Sequence, residues 1–153
     1  MKIVIGSDHA GYRLKASVVA FVESLGHEVI DVGSHDDTPV DFPDIAKQLA
    51  GRVTSGEAVR GLMVCGTGVG ASIAANKIRG IRAAVCHDIY SAHQCVEHDD
   101  VNVMCIGAQI VGPWLANDLI KAYLEAEFST SEEFRRRVDK LHAMENEGQG
   151  DSQ

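Results

Sequence analysis

Gly61-Leu62-Met63-Val64-Cys65-Gly66-Thr67-Gly68-Val69-Gly70-Ala71-Ser72-Ile73-Ala74-Ala75-Asn76-Lys77 runs from an apolar segment through a glycine loop into a helical pattern. Residues 61–65 are apolar throughout instead of alternating, which marks a strand covered on both faces, as in a parallel sheet. A strand that passes through a glycine loop into a helix is the βα unit of doubly wound folds. The pattern recurs outward from this stretch. Short β-branched runs predict further strands at 2–6, 28–32, 82–86 and 101–107, and helices fall between and after them at about 11–25, 43–55, 70–78, 89–98 and 112–126.

Five such units predict one domain, a three-layer α/β/α sandwich around a five-stranded parallel sheet. Ser129-Thr130-Ser131-Glu132-Glu133 carries the hydroxyl-then-glutamate signature of a helix start, and Phe134, Val138 and Leu141 fall on one face of a last helix. No strand follows that helix, so it is expected to pack across the domain or onto a second subunit. The domain is placed at 1–145 and a polar tail, expected to fray, at 146–153.

The chain holds 22 acidic against 14 basic residues, a formal net charge of -8. That balance excludes a non-specific nucleic-acid binder or a protein adsorbed to a membrane surface, both of which need a basic face. An anionic small molecule would require a local positive site. No apolar run approaches the ~20 residues of a membrane helix, and Met1 leads straight into a strand, so the expectation is a soluble, cytoplasmic protein without a signal peptide. Cys65, Cys86, Cys95 and Cys105 form no CxxC pair, which argues against a disulfide scaffold or a cysteine zinc site.

Open α/β sheets bind ligands beyond the carboxyl ends of their strands, and polar residues gather there: Ser7-Asp8-His9, Gly66 to Gly70, and His87-Asp88. The loop Gly66-Thr67-Gly68-Val69-Gly70 can point backbone amides into one concavity at a helix N-terminus, an anion nest; a tight turn without a ligand fits the same spacing. It lacks the Walker lysine and does not match GxGxxG, which disfavours nucleotides. Cys65 at its mouth is either a small buried residue or a thiol activated by the helix N-terminus. Asp8 and His9 read as a helix cap or an acid/base pair, His98 as a helix-end histidine, and His87-Asp88 as another cap. Arg135-Arg136-Arg137 is a solvated basic face or, across a subunit interface, a phosphate clamp.

Taken together, Gly6-Ser7-Asp8-His9-Ala10-Gly11, Leu14-Lys15, Val40-Asp41-Phe42-Pro43-Asp44, Cys65 to Gly70, Ile73-Ala74-Ala75-Asn76-Lys77, Gly80-Ile81-Arg82-Ala83-Ala84 and Glu97-His98 occur in an order that resembles the ribose-5-phosphate isomerase B family, which also includes galactose-6-phosphate and allose-6-phosphate isomerases. The resemblance implies a Rossmann-like sheet, an aldose-ketose isomerase without metal or cofactor, and an active site shared in a homodimer or dimer of dimers. By that resemblance Cys65 is the base moving a proton between C1 and C2. Gly66, Gly68, Gly70 and Thr67 hold the enediolate, Asp8 and His98 open the sugar ring, and His9 and Arg137 face the phosphate. Asn76, Asp99 and Gln109 join the substrate-binding set.

The departures bear on substrate. Asp41-Phe42-Pro43 stands where the family usually has Asp-Tyr-Pro, and His98-Asp99 where it has His-Asn. Gly107-Ala108-Gln109 replaces Gly-x-Arg, and Glu132-Glu133-Phe134 replaces Gly-Arg-His. Two arginines implied at the phosphate are thus absent and carboxylates are added, which weakens a phosphate site. Ribose 5-phosphate is the first candidate. Another sugar phosphate held by Arg135 to Arg137, a free sugar read by Asp99 and Gln109, and a non-catalytic sugar-phosphate-binding domain are the alternatives.

Overall fold

A computed structural model describes residues 1–147. The order is β1 (Lys2–Ser7), α1 (Tyr12–Ser24), β2 (Glu28–Asp31), α2 (Phe42–Thr54), β3 (Arg60–Cys65), α3 (Val69–Asn76), β4 (Ala83–Val85), α4 (Ile89–Asp99), β5 (Val103–Gly107), α5 (Pro113–Glu125) and α6 (Glu132–Glu147). Every strand pair is parallel, in the order β2-β1-β3-β5-β4. The three-layer sandwich read from the sequence is the fold observed.

The sheet buries both faces. Ile3, Ile5, Leu62, Val64, Met104 and Ile106 meet α1, α4 and α5 on one side, while Val4, Met63, Val103 and Cys105 meet α2 and α3 on the other. Alternation along each strand divides the same apolar run between two cores, which explains why no polar alternation is seen. Arg60 adds a tether between layers: its guanidinium donates to the carbonyl oxygens of Tyr123 at 2.5 Å and Ala126 at 2.7 Å, satisfying carbonyls left open at the end of α5.

One expectation is corrected. β4 is three residues long, not the five of 82–86, although the flanking backbone still reaches β5, with Val103 N donating to the Arg82 carbonyl at 3.3 Å and Cys86 N to the Cys105 carbonyl at 3.2 Å. The last helix runs to Glu147, anchored by Glu145 on the Gly80 amide and by His142 on Arg82. It packs across its own domain against α4, with Val138 buried. Residues 148–153 of the predicted tail lie outside the described part. Among the described residues, no helix is long and apolar enough to cross a membrane.

Candidate active site

β1 and β3 are neighbours with Ser7 paired to Val64, so the residues that follow, Asp8 and Cys65, are carried side by side out of the sheet. The Cys65 thiol donates to Asp8 Oδ2 at 2.9 Å, and Asp8 Oδ1 accepts the Gly11 amide at 2.9 Å. One carboxylate therefore closes the turn before α1 and faces the thiol; the N-cap of α1 is Gly11, without a side-chain cap, and the His9 ring bonds Val40. Close approach is what makes this possible: a Cβ on Gly11 would lie 2.0 Å from the carbonyl oxygen of Val64.

The nest forms around the sulfur. Gly68 has φ of 80°, a left-handed conformation open to glycine, and the amides of Gly68 and Gly66 favour the ionised form of the Cys65 thiol. From below, Ala108 N donates to the Cys65 carbonyl at 2.8 Å and Gln109 N to the Gly66 carbonyl at 3.0 Å. The Gln109 carboxamide lies against Gly66, and Phe42 closes over Gly70. Thr67 Oγ1 accepts the Val69 amide at 3.4 Å, leaving its proton to donate. His9 is exposed, with Nδ1 accepting the Val40 amide at 3.2 Å. Buried Lys15 binds Asp31 and the Ser34 carbonyl, anchoring the segment that leads to Val40.

Burial first, and then the Asp8 hydrogen bond, push the Cys65 thiol above its ordinary value, outweighing the two amides. The resting group is a thiol, not the thiolate that a helix N-terminus alone could produce. A titration raised by folding means the native state holds its proton longer than the unfolded chain, so stability is full below the ordinary thiol value and falls as pH rises toward the folded one. Urea unfolding at pH 7 and pH 9.5 should show lower stability at the higher pH, with a smaller loss in Cys65→Ser; a wild type more stable at pH 9.5 contradicts this.

A second group of expected site residues sits elsewhere. His98 at the end of α4 stacks on Phe134, with ring centroids 3.9 Å apart, and Arg137 pairs with Glu133 at 2.6 Å on α6. α4 returns the chain to the start of β5, whereas Gln109 follows the end of that strand; five residues at ~3.3 Å each put them roughly 15 Å apart. Within one chain His98, Asp99 and Arg137 therefore do not converge with Cys65, Asp8 and Gln109. Asn76 lies at the end of α3 against the edge strand β4, its side-chain amide bonding the Ala83 backbone at 2.8 Å both ways. Asn76 and Asp99 line a separate groove of about 530 Å³ with Arg82, Leu141 and Met144.

From the sequence, Gly107 carries no role of its own and His87, with Asp88, reads as a helix cap. A Cβ on Gly107 would lie 2.8 Å from the Thr67 backbone, and the Gly107 amide donates to His87 Nε2 at 2.8 Å. Gly107 ends a strand, which was a usable signal; His87 carried none beyond its place after a strand. Asp88 does cap α4, accepting the Ser91 amide at 2.7 Å.

Comparison with known proteins agrees with this geometry. Residues 3–141 match the family described as Ribose/Galactose Isomerase. The chain is similar to ribose-5-phosphate isomerase B of Escherichia coli, 43% identical over 94% of this chain and 96% of the relative. It is also similar to D-erythrulose-4-phosphate isomerase 2 of Mycolicibacterium smegmatis, 40% identical over 95% of this chain and 97% of that one. The solved structure of Clostridium thermocellum ribose-5-phosphate isomerase B superposes with a TM-score of 0.93 at 47% identity, covering 96% of this chain and 99% of that one. A thiol paired with a carboxylate at a nest of amides, on a fold and a sequence shared this fully, makes the chain a member of the Ribose/Galactose Isomerase family and an aldose-ketose isomerase.

Proposed function

We propose that this chain interconverts an aldose phosphate and its ketose through an enediolate, with ribose 5-phosphate the first candidate, at a site completed by a second copy. The observation that carries the reading is the Cys65 thiol at 2.9 Å from Asp8, at the start of the Gly66 to Gly70 loop. Asp8 takes the thiol proton, and the thiolate removes the proton on C2 of the open aldose. The electron pair moves onto the C1 carbonyl oxygen, where the nest amides and Thr67 hold the charge. After a proton passes from O2 to O1, the thiol returns its proton to C1 and regains one from Asp8. Fixed donors at the developing oxyanion are the large term in such chemistry, one donor being worth roughly 3 kcal/mol in well-studied cases.

His98 lies toward the start of β5, the end opposite the nest, so ring opening by His98 and phosphate binding by Arg137 require those residues from a partner. Closed two-fold assemblies are the common way to supply them. His9 keeps Nε2 free for the phosphate, since Nδ1 is taken by Val40.

A second substrate has specific support. It lies in the similarity to D-erythrulose-4-phosphate isomerase 2, beside which Gln109 brings an uncharged amide to the nest and Arg137 pairs with Glu133. A tetrose 4-phosphate such as erythrose 4-phosphate has its O4 esterified and cannot close a furanose ring. It needs no ring opening. Ribose 5-phosphate does.

The test is solvent exchange at C1 and C2 in deuterated water with ribose 5-phosphate, erythrulose 4-phosphate, a hexose 6-phosphate and the free sugars, using wild type and His98→Gln. Exchange with ribose 5-phosphate that falls at least tenfold in His98→Gln supports the first reading. Exchange with erythrulose 4-phosphate that His98→Gln leaves intact supports the second. Binding of these sugars with no exchange by wild type would leave only the non-catalytic binding domain.

A further inference from the structure

β4 ends at Val85, two residues before the sheet reaches the level of the nest. Its register with β5, Ala83 to Val103 and Val85 to Cys105, would set residue 87 opposite Gly107 had the strand continued. The backbone has turned away toward α4 by then, and the Gly107 amide would lose its partner. The imidazole of His87 replaces it, accepting that amide at 2.8 Å through Nε2. Gly107 is buried, so an amide left unpaired there is costly.

What rests on Gly107 gives the contact its consequence. The Thr67 backbone lies so close that a Cβ on Gly107 would be 2.8 Å from it. The next two amides, of Ala108 and Gln109, hold the carbonyls of Cys65 and Gly66. Gly107 to Gln109 is thus the floor of the nest, and its first residue is fixed by a side chain from the loop between β4 and α4.

We propose that His87 is a positioning residue for the reaction: as a neutral imidazole accepting at Nε2, it sets the height of the Gly107 to Gln109 floor and through it the aim of the Gly66 to Gly70 amides and of Cys65. This rests on the enediolate reading of the nest. His87 meets the floor at the Gly107 amide and acts through it, so its loss should slow the chemical step without weakening substrate binding. Misplacement of reacting groups by about 1 Å can cost as much as ~100-fold.

The experiment compares wild type, His87→Leu and His87→Gln. Leucine fills the space without an acceptor, and glutamine restores one through its carbonyl oxygen. With the sugar phosphate that wild type turns over, His87→Leu should lose about tenfold or more in kcat with KM within about twofold, and His87→Gln should recover most of it. Amide hydrogen exchange over 65–70 and 107–109 reads the same floor without turnover, and should be faster in His87→Leu and near wild type in His87→Gln. Unchanged kcat and exchange in His87→Leu overturn the proposal, as does a glutamine variant no better than leucine. If His87→Leu does not fold, His87→Gln decides alone: wild-type kcat supports the role and a tenfold loss overturns it. A wild type inactive on every sugar would remove the enediolate reading, while the exchange comparison would still judge what His87 holds in place.

Discussion

Cys65→Ala is expected to lower kcat by about 100-fold or more on whichever sugar phosphate the wild type isomerises, measured by steady-state kinetics, because it removes the group that carries the proton between carbons. The fold should survive. The side chain is buried but small, and its loss leaves a cavity worth about 1 kcal/mol. Cys65→Ser separates chemistry from packing: it keeps the size and can still donate to Asp8, yet a hydroxyl holds its proton far more tightly than a thiol, so kcat should fall nearly as far as in alanine. An active serine variant would show that position 65 only fills space. An active alanine variant would move the base elsewhere in the nest, with Asp8, 2.9 Å from the sulfur, the next residue to examine.

Gly11→Ala is expected to be the most damaging single methyl in the described chain. The added carbon would stand 2.0 Å from the Val64 oxygen and 2.9 Å from the Cys65 nitrogen, both backbone atoms of the central strand that cannot rotate aside. α1 must lift off β3, and with it the loop that points Asp8 at Cys65. Overpacking of this kind costs typically 1–3 kcal/mol and more where backbone is struck, so a loss of roughly 3 kcal/mol and a Tm lower by about 10 °C are expected in thermal unfolding, with activity lost alongside. Gly51→Ala is the control. It lies within α2 with nothing within 4 Å of its Cβ, and alanine there should raise stability by about 0.5–1 kcal/mol. Equal effects at the two positions would contradict the close approach of α1 to the sheet.

Much of the site was legible because it is local. Cys65 and the glycines after it are contiguous, and one strand-loop-helix unit fixes a thiol at a ring of amides whatever the rest of the fold does. Asp8 was legible as a carboxylate after a strand, but only the β1–β3 pairing turned a cap into a hydrogen-bond partner for the thiol. The surroundings of Asn76 were not legible, because it lies at the far end of an eight-residue helix from the glycine loop and meets the Ala83 backbone of another strand. The protonated state of Cys65 was hidden too, since it depends on burial and on a carboxylate fifty-seven positions away in the chain.

The sequence by itself determined the parallel sheet, because continuous apolar runs can be buried only between two helical layers, and it determined a glycine turn into a helix after β3, a spacing that fits an anion nest and a tight turn alike. Tertiary structure decided which residues meet across that sheet. Strand order brought Asp8 to Cys65, the early end of β4 left the Gly107 amide to His87, and the length of β5 kept His98 and Arg137 away from the thiol of their own chain. These are distances between segments remote in sequence, set by register and by where strands stop, and neither is written in the pattern of any one segment.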